Sequence, residues 1–195
     1  MLNNISKNDW QYILPLLICT ISFAATDLFG LIEKTMFAYW SGALIIEPYR
    51  ILTSHFIHAD INHLVANIFG IVISRYFLKT LGLKHNYFFL LLICFLIPLQ
   101  TFIFWFIDIF LYGNQLSLAI GFSGVLYGVN AFILLTSIYG KKRSLGLFCG
   151  LKKEKGTTKS MLLLMGVGII WSLLPGVSLV GHLSGFISGA LLFLI

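Results

Sequence analysis

Apolar residues recur along this chain in runs too long and continuous to be the buried faces of soluble helices, with short polar segments between them. Six runs stand out: about Gln11 to Ile32, Ile61 to Leu78, Tyr87 to Asp108, Gly121 to Tyr139, Ser160 to Leu174 and Val180 to Ile195. A helix needs about 20 apolar residues to cross a bilayer. The pattern therefore predicts an all-α polytopic membrane protein with six transmembrane helices in one domain, residues 1–195. Runs five and six are shorter than that, which predicts helices longer than these limits or a locally thin bilayer. The segment from Glu33 to Asn62 is too polar to span and too apolar to be a free linker. Phe37, Tyr39, Trp40, Leu44, Ile45 and Ile46 suit a long loop lying in the interface, where aromatic side chains favour the headgroup level. The loop from Gly140 to Lys159 is basic and reads as a solvated or lipid-contacting flank without chemistry.

Composition agrees with this pattern. Hydrophobic residues make up 58% of the 195 and charged residues 10%, far from a soluble domain. The first run is too long for a signal-peptide core and is expected to be a retained span. Cys19, Cys94 and Cys149 are scattered, with no metal spacing, and read as free thiols in packed helices or a cytosolic loop.

The net charge of +6 matters through its placement. Lys7, then Arg75, Lys79 and Lys84, then Lys141, Lys142, Arg143, Lys152, Lys153, Lys155 and Lys159 all fall on one side of a six-span topology; the other side holds Lys34 and Arg50. The positive-inside rule then puts both termini in the cytoplasm, with a cell inner (plasma) membrane as the location. No exposed basic domain is long enough to bind nucleic acid. This orientation brings the starts of spans two, four and six, and with them His63, Ser123 and His182, to the outer face at similar depth.

Two of those starts are rich in glycine: Gly121-Phe122-Ser123-Gly124-Val125-Leu126-Tyr127-Gly128, and Gly181-His182-Leu183-Ser184-Gly185-Phe186-Ile187-Ser188-Gly189. Glycines four apart let helix axes approach closely. A hydroxyl nucleophile needs a base within hydrogen-bond reach, and such an approach would supply one. The plain reading of Ser123 is a serine bonded back to a carbonyl or packed as a small residue; that of His182 is an interfacial structural histidine. The chemical reading makes Ser123 a nucleophile in the first turn of a helix, where unpartnered N–H groups and a positive dipole can hold an oxyanion. Gly121 and Gly124 leave room for a substrate backbone. His182 shares a face with Gly185 and Gly189 and is the general base. Tyr127, one turn below Ser123, is placed to stack on the imidazole.

On span two, His63, Asn67, Gly70 and Ser74 share one face. They are either helix–helix glue or, through His63 and the Asn67 amide beside the Ser123 N–H, an oxyanion hole. His55, His58 and His63 are spaced H-x2-H-x4-H, which fits no standard zinc pattern, so no metal is expected. His58 is expected to bond the backbone of the preceding loop. No acid has helical spacing that seats it behind His182, so a dyad is expected rather than a triad, with Asp60 the acid nearest to qualifying.

These residues resemble the rhomboid family of intramembrane serine proteases, in its compact six-helix bacterial form. The matching pieces are Gly121-Phe122-Ser123-Gly124, His63 with Asn67, His182 with Gly185 and Gly189, Tyr127 four after the serine, and Tyr49-Arg50 in the long loop. The resemblance implies that Ser123 is the nucleophile and His182 the base, and that His63, Asn67 and the Ser123 N–H bind the oxyanion. It implies supporting positions for Tyr127, His58, Arg50, Gly121, Gly124, Gly185 and Gly189. It also implies single-pass transmembrane protein substrates, surrounding membrane lipid and no cofactor. The chain departs from the family twice. Leu78, beside Lys79, stands four before Gly82 where a glutamate is frequent, and the connection from Pro175 to Val180 is very short. A catalytically inactive relative that binds membrane proteins is the alternative reading. A small transporter or proton channel, with the histidines as relay groups and the acids Asp27 and Asp108 in its favour, is a distant third.

Overall fold

The computed structural model describes residues 9–195. Lys7, counted above with the cytoplasmic charges, lies outside the described residues. In chain order the elements are α1 (Trp10–Phe23), extended by a π-turn over Ala24–Leu28; α2 (Lys34–Phe37); β1 (Tyr39–Trp40); α3 (Arg50–Thr53); α4 (Ile61–Thr80); and α5 (Phe88–Phe106), extended by a π-turn over Ile107–Leu111. Then follow β2 (Leu118–Ala119), α6 (Ser123–Tyr139), β3 (Lys141–Ser144), β4 (Leu147–Leu151), α7 (Lys155–Trp171) and α8 (Leu179–Leu194). Among the described residues, Trp10–Leu28, Ile61–Thr80 and Phe88–Leu111 are long and apolar enough to cross a membrane by length and composition; α6 and α8 are apolar but shorter.

Helix α6 is central and packs against α4, α5, α7 and α8. Its Val125, Val129, Phe132 and Ile133 are fully buried, together with Phe88, Phe89, Leu92 and Leu96 of α5 and Ile71 and Leu78 of α4. Polar side chains set several helix starts. Asp60 accepts from the His63 N–H at 2.9 Å and begins α4. Glu154 accepts from the Gly156 and Thr157 N–H groups and begins α7. Ser178 accepts from the Gly181 N–H at 3.0 Å and begins α8. Gln11 of α1 accepts from the Phe89 N–H at 2.8 Å, so one helix caps another.

Several expectations need correction. The helix of run five starts at Lys155 rather than Ser160, because Glu154 caps the charged stretch, and it ends at Trp171 rather than Leu174. Run one ends in its π-turn at Leu28 instead of Ile32, and run three continues past Asp108 to Leu111. The fold is not all helix. Residues 140–159 hold a hairpin of β3 and β4 that turns through Leu145 and Gly146, both at positive φ, as a two-residue hairpin turn requires. The hairpin docks on the α4–α5 connection: the Lys152 N–H donates to the Leu81 carbonyl at 2.8 Å and the Lys84 N–H to the Cys149 carbonyl at 3.3 Å. Cys149 and Leu151 are buried beneath it. Cys19 is also buried, whereas Cys94 is exposed on α5.

The loop before α4 carries α2, β1 and α3. Strand β1 pairs antiparallel with β2, Tyr39 opposite Ala119 and Trp40 opposite Leu118. This ties the loop to the segment leading into α6. Leu78, at the first departure from the family pattern, is fully buried. The ionic tie is made beside it: Asp9 accepts from Arg75 at 2.8 and 2.9 Å and pairs with Lys79 at 2.7 Å.

Candidate active site

The site begins with two backbones in contact. A Cβ on Gly185 of α8 would collide with the Gly124 carbonyl of α6, and one on Gly189 with the Gly128 carbonyl. In the other direction, a Cβ on Gly128 would lie 2.9 Å from the Gly185 carbonyl. Only glycine at these positions lets α6 and α8 meet without side chains between them. One turn nearer the helix starts, this contact brings His182 Nε2 to 2.9 Å from Ser123 Oγ. Ser123 is the first residue of α6, so its N–H belongs to the helix turn that has no helical acceptor. The Ser178 carbonyl accepts the His182 N–H at 3.1 Å, and His182 is buried at 7% exposure.

The imidazole is held on two further sides. The Tyr127 ring stacks on it with centroids 4.1 Å apart and planes 9° from parallel. Nδ1 lies 2.6 Å from Ser172 Oγ, in the turn after α7. Among the described residues no acid is hydrogen-bonded to His182, and Asp60 is occupied in capping α4. Ser172 escaped the sequence reading because it lies ten residues before His182, across Pro175-Gly176, among ordinary helix serines. Gly168, one turn before Ser172, is another silent participant: a Cβ there would strike the Tyr127 hydroxyl.

On the other side of Ser123, Gly121 adopts φ +112°, and a Cβ on it would run into the His63 ring, 2.5 Å from Nε2. Both the backbone conformation and the space require glycine here. The Ala59 N–H donates to His63 Nδ1 at 3.4 Å, which places the ring proton on Nε2, the nitrogen facing Gly121. Asn67 is buried and donates one amide proton to the His63 carbonyl at 2.9 Å, which leaves it one proton to give. Ser74 bonds back to Gly70, and Gly70 packs against Leu126, so the lower half of this face serves helix packing.

The remaining residues support the site from a distance. His58 is fully buried, with Nδ1 3.1 Å from the Phe56 carbonyl and its ring edge-on to His63 at 5.2 Å. His55 Nε2 lies 2.9 Å from Thr101 Oγ1. Burial pushes the imidazoles of His55 and His58 down to about 4, so both are neutral near pH 7. His55, His58 and His63 thus each have a different hydrogen-bond partner. Arg50 is brought to the long loop and not to Ser123: it donates to the Thr35 and Ala38 carbonyls at 2.8 and 2.6 Å and pairs with Glu47. Asp27 pairs with Lys34 at 2.6 Å, and Asp108 accepts from the Tyr39 hydroxyl at 2.9 Å; each acid sits in the π-turn that ends its helix.

A hydroxyl facing a ring-stacked imidazole, beside a helix start and a second imidazole N–H, is an arrangement fit for acyl transfer. A family model described as Rhomboid domain matches residues 46–195, which include every residue of this site. No curated protein matches the chain.

Proposed function

We infer that this chain, which belongs to the rhomboid family and is a membrane protein, is an intramembrane serine endopeptidase. Its substrates are single-pass membrane proteins, cut within or next to the bilayer. The observation that carries this reading is the 2.9 Å contact between His182 Nε2 and Ser123 Oγ in a buried, glycine-lined junction.

In this reading His182 takes the Ser123 proton as Oγ attacks the scissile carbonyl. The new oxyanion is met by the Ser123 N–H, the His63 Nε2–H and the remaining Asn67 amide proton. His182 then protonates the leaving amine, and a water, activated by the same imidazole, releases the acyl group from Ser123. No cofactor takes part. A peptide bond in a helix must leave its hydrogen-bonded ladder before attack, so segments containing helix-weakening residues are the preferred substrates.

The six long helices, α1 and α4 to α8, are assigned as the spans of a single domain, with both termini cytoplasmic. The charge distribution supports that orientation in an inner (plasma) membrane, with the site opening to the outer face.

The test is labelling of the purified protein with a serine-directed fluorophosphonate, combined with cleavage of a model single-pass substrate. The expected result is a tag on the Ser123 peptide that requires His182, and no cleavage by Ser123→Ala although it folds as the parent does. Undiminished cleavage by Ser123→Ala removes the reading and leaves a membrane-protein-binding relative in its place.

A further inference from the structure

We propose that Ser172 is a positioning residue that fixes the protonation geometry of His182, the place an acid holds in a catalytic triad. Its catalytic consequence rests on the protease reading; its hydrogen bonding does not.

The protons available around Ser172 decide the tautomer of His182. Ser172 Oγ has three close partners: the Gly168 carbonyl at 2.7 Å, His182 Nδ1 at 2.6 Å and the Tyr127 hydroxyl at 3.2 Å. A hydroxyl has one proton to donate and two lone pairs to accept with. The Gly168 carbonyl can only accept, so the Ser172 proton goes there. Both lone pairs then accept, one from Nδ1–H of His182 and one from the Tyr127 O–H. This uses the full capacity of Ser172 Oγ and leaves Nε2 of His182 bare, facing the proton on Ser123 Oγ at 2.9 Å.

The opposite assignment is worse on two counts. If Ser172 gave its proton to Nδ1, its oxygen would face the Gly168 carbonyl at 2.7 Å with no proton between them. His182 would then carry its proton on Nε2 and donate to Ser123 instead of accepting from it, which is useless for a general base. Ser172 and His182 are 3% and 7% exposed, so bulk water is poorly placed to replace the bond.

During attack the Ser123 proton moves to Nε2, and the imidazolium formed keeps donating through Nδ1–H to Ser172. Ser172 itself gains and loses no proton. Being neutral, it orients the ring without adding a buried charge. Tyr127 takes part twice, its ring stacked on the imidazole and its hydroxyl supporting Ser172. Gly168 makes the arrangement possible, since any side chain there would displace that hydroxyl.

The experiment uses the full chain in nanodiscs, labelled with nitrogen-15 histidine, with the His182 signals assigned by their loss in His182→Gln. Wild type is expected to show the tautomer protonated on Nδ1. Ser172→Ala is expected to lose that signature and to lower kcat about tenfold at unchanged KM, the loss of roughly one hydrogen bond. Ser172→Thr, which restores the hydroxyl, is expected to recover both. Ser172→Cys, nearly the same size but a weak acceptor, is expected to fall between, and it decides the matter if the alanine variant does not fold. An unchanged tautomer in Ser172→Ala, or a kcat within twofold of wild type, overturns the proposal. A wild type that cleaves nothing overturns the protease reading instead, and the tautomer comparison then still decides whether Ser172 fixes the ring.

Discussion

Gly185 of α8 rests directly on the carbonyl of Gly124 of α6, backbone against backbone. The carbonyl and its helix are rigid, so this contact sets the axial register of the two helices and with it the distance from His182 to Ser123.

Gly185→Ala is therefore expected to push α8 away from α6. Fluorophosphonate labelling of Ser123 should fall to background while the helices themselves remain. Gly189→Ala, two turns below His182 on the same face, should do nearly the same, because it meets the Gly128 carbonyl. Circular dichroism of the solubilised variants separates lost register from lost folding. Labelling at the wild-type rate by either variant would show that the junction tolerates a methyl group.

On the protease reading, His63 and Asn67 are expected to matter in the transition state rather than in binding. His63→Ala and Asn67→Ala should each lower kcat by about 10²–10³-fold, equivalent to about 2.7–4 kcal/mol, with little change in KM. The measurement is steady-state cleavage of a single-pass substrate in proteoliposomes. A wild-type kcat for Asn67→Ala would mean that its amide serves only the His63 carbonyl, to which it donates at 2.9 Å.

Stability is expected to fall on acidification over a defined range. Burial holds the His55 and His58 imidazoles at about 4, below their ordinary value of 6.5. The unfolded chain therefore binds more protons than the native one between those values, and stability increases with pH there. The contribution is complete above pH 6.5 and is lost as pH falls toward 4. Thermal unfolding from pH 7.5 to 4.5 should show the midpoint dropping through this range, and His58→Gln should flatten the slope.

Asp9 is expected to anchor the start of α1 to the far end of α4. Its carboxylate is buried, whereas Arg75 and Lys79 are 34% and 40% exposed. Removing the acid frees two cations that water can reach, so Asp9→Ala should cost about 1–2 kcal/mol, less than the loss of one partner from a fully buried pair. Lys79→Ala should cost under about 1 kcal/mol. Thermal midpoints of the two variants in one detergent make the comparison.

What the sequence made legible and what it hid differ in range. The long helices follow from continuous apolar runs, and the approach of α6 to α8 follows from glycines repeating at four, since both are local patterns. The hairpin at 141–151 was hidden because its strands are short and lysine-rich; docking on Leu81 and Lys84 stabilises them, and that contact is not local. Residues 155–159 read as a charged loop because their helix depends on the cap from Glu154. Ser172 and Gly168 carried no signal of their own. Each gains its role only when α7 lies against α6 and the turn at 172–178 brings α8 back beneath it. The short strand at Tyr39 was equally invisible, because its partner lies almost eighty residues away.

That strand has a mechanical meaning. Trp40 is joined to Leu118, and three residues beyond Leu118 the chain makes its glycine bend just before Ser123. A displacement of the peripheral loop is thus passed through a two-residue ladder to the backbone that leads into Ser123.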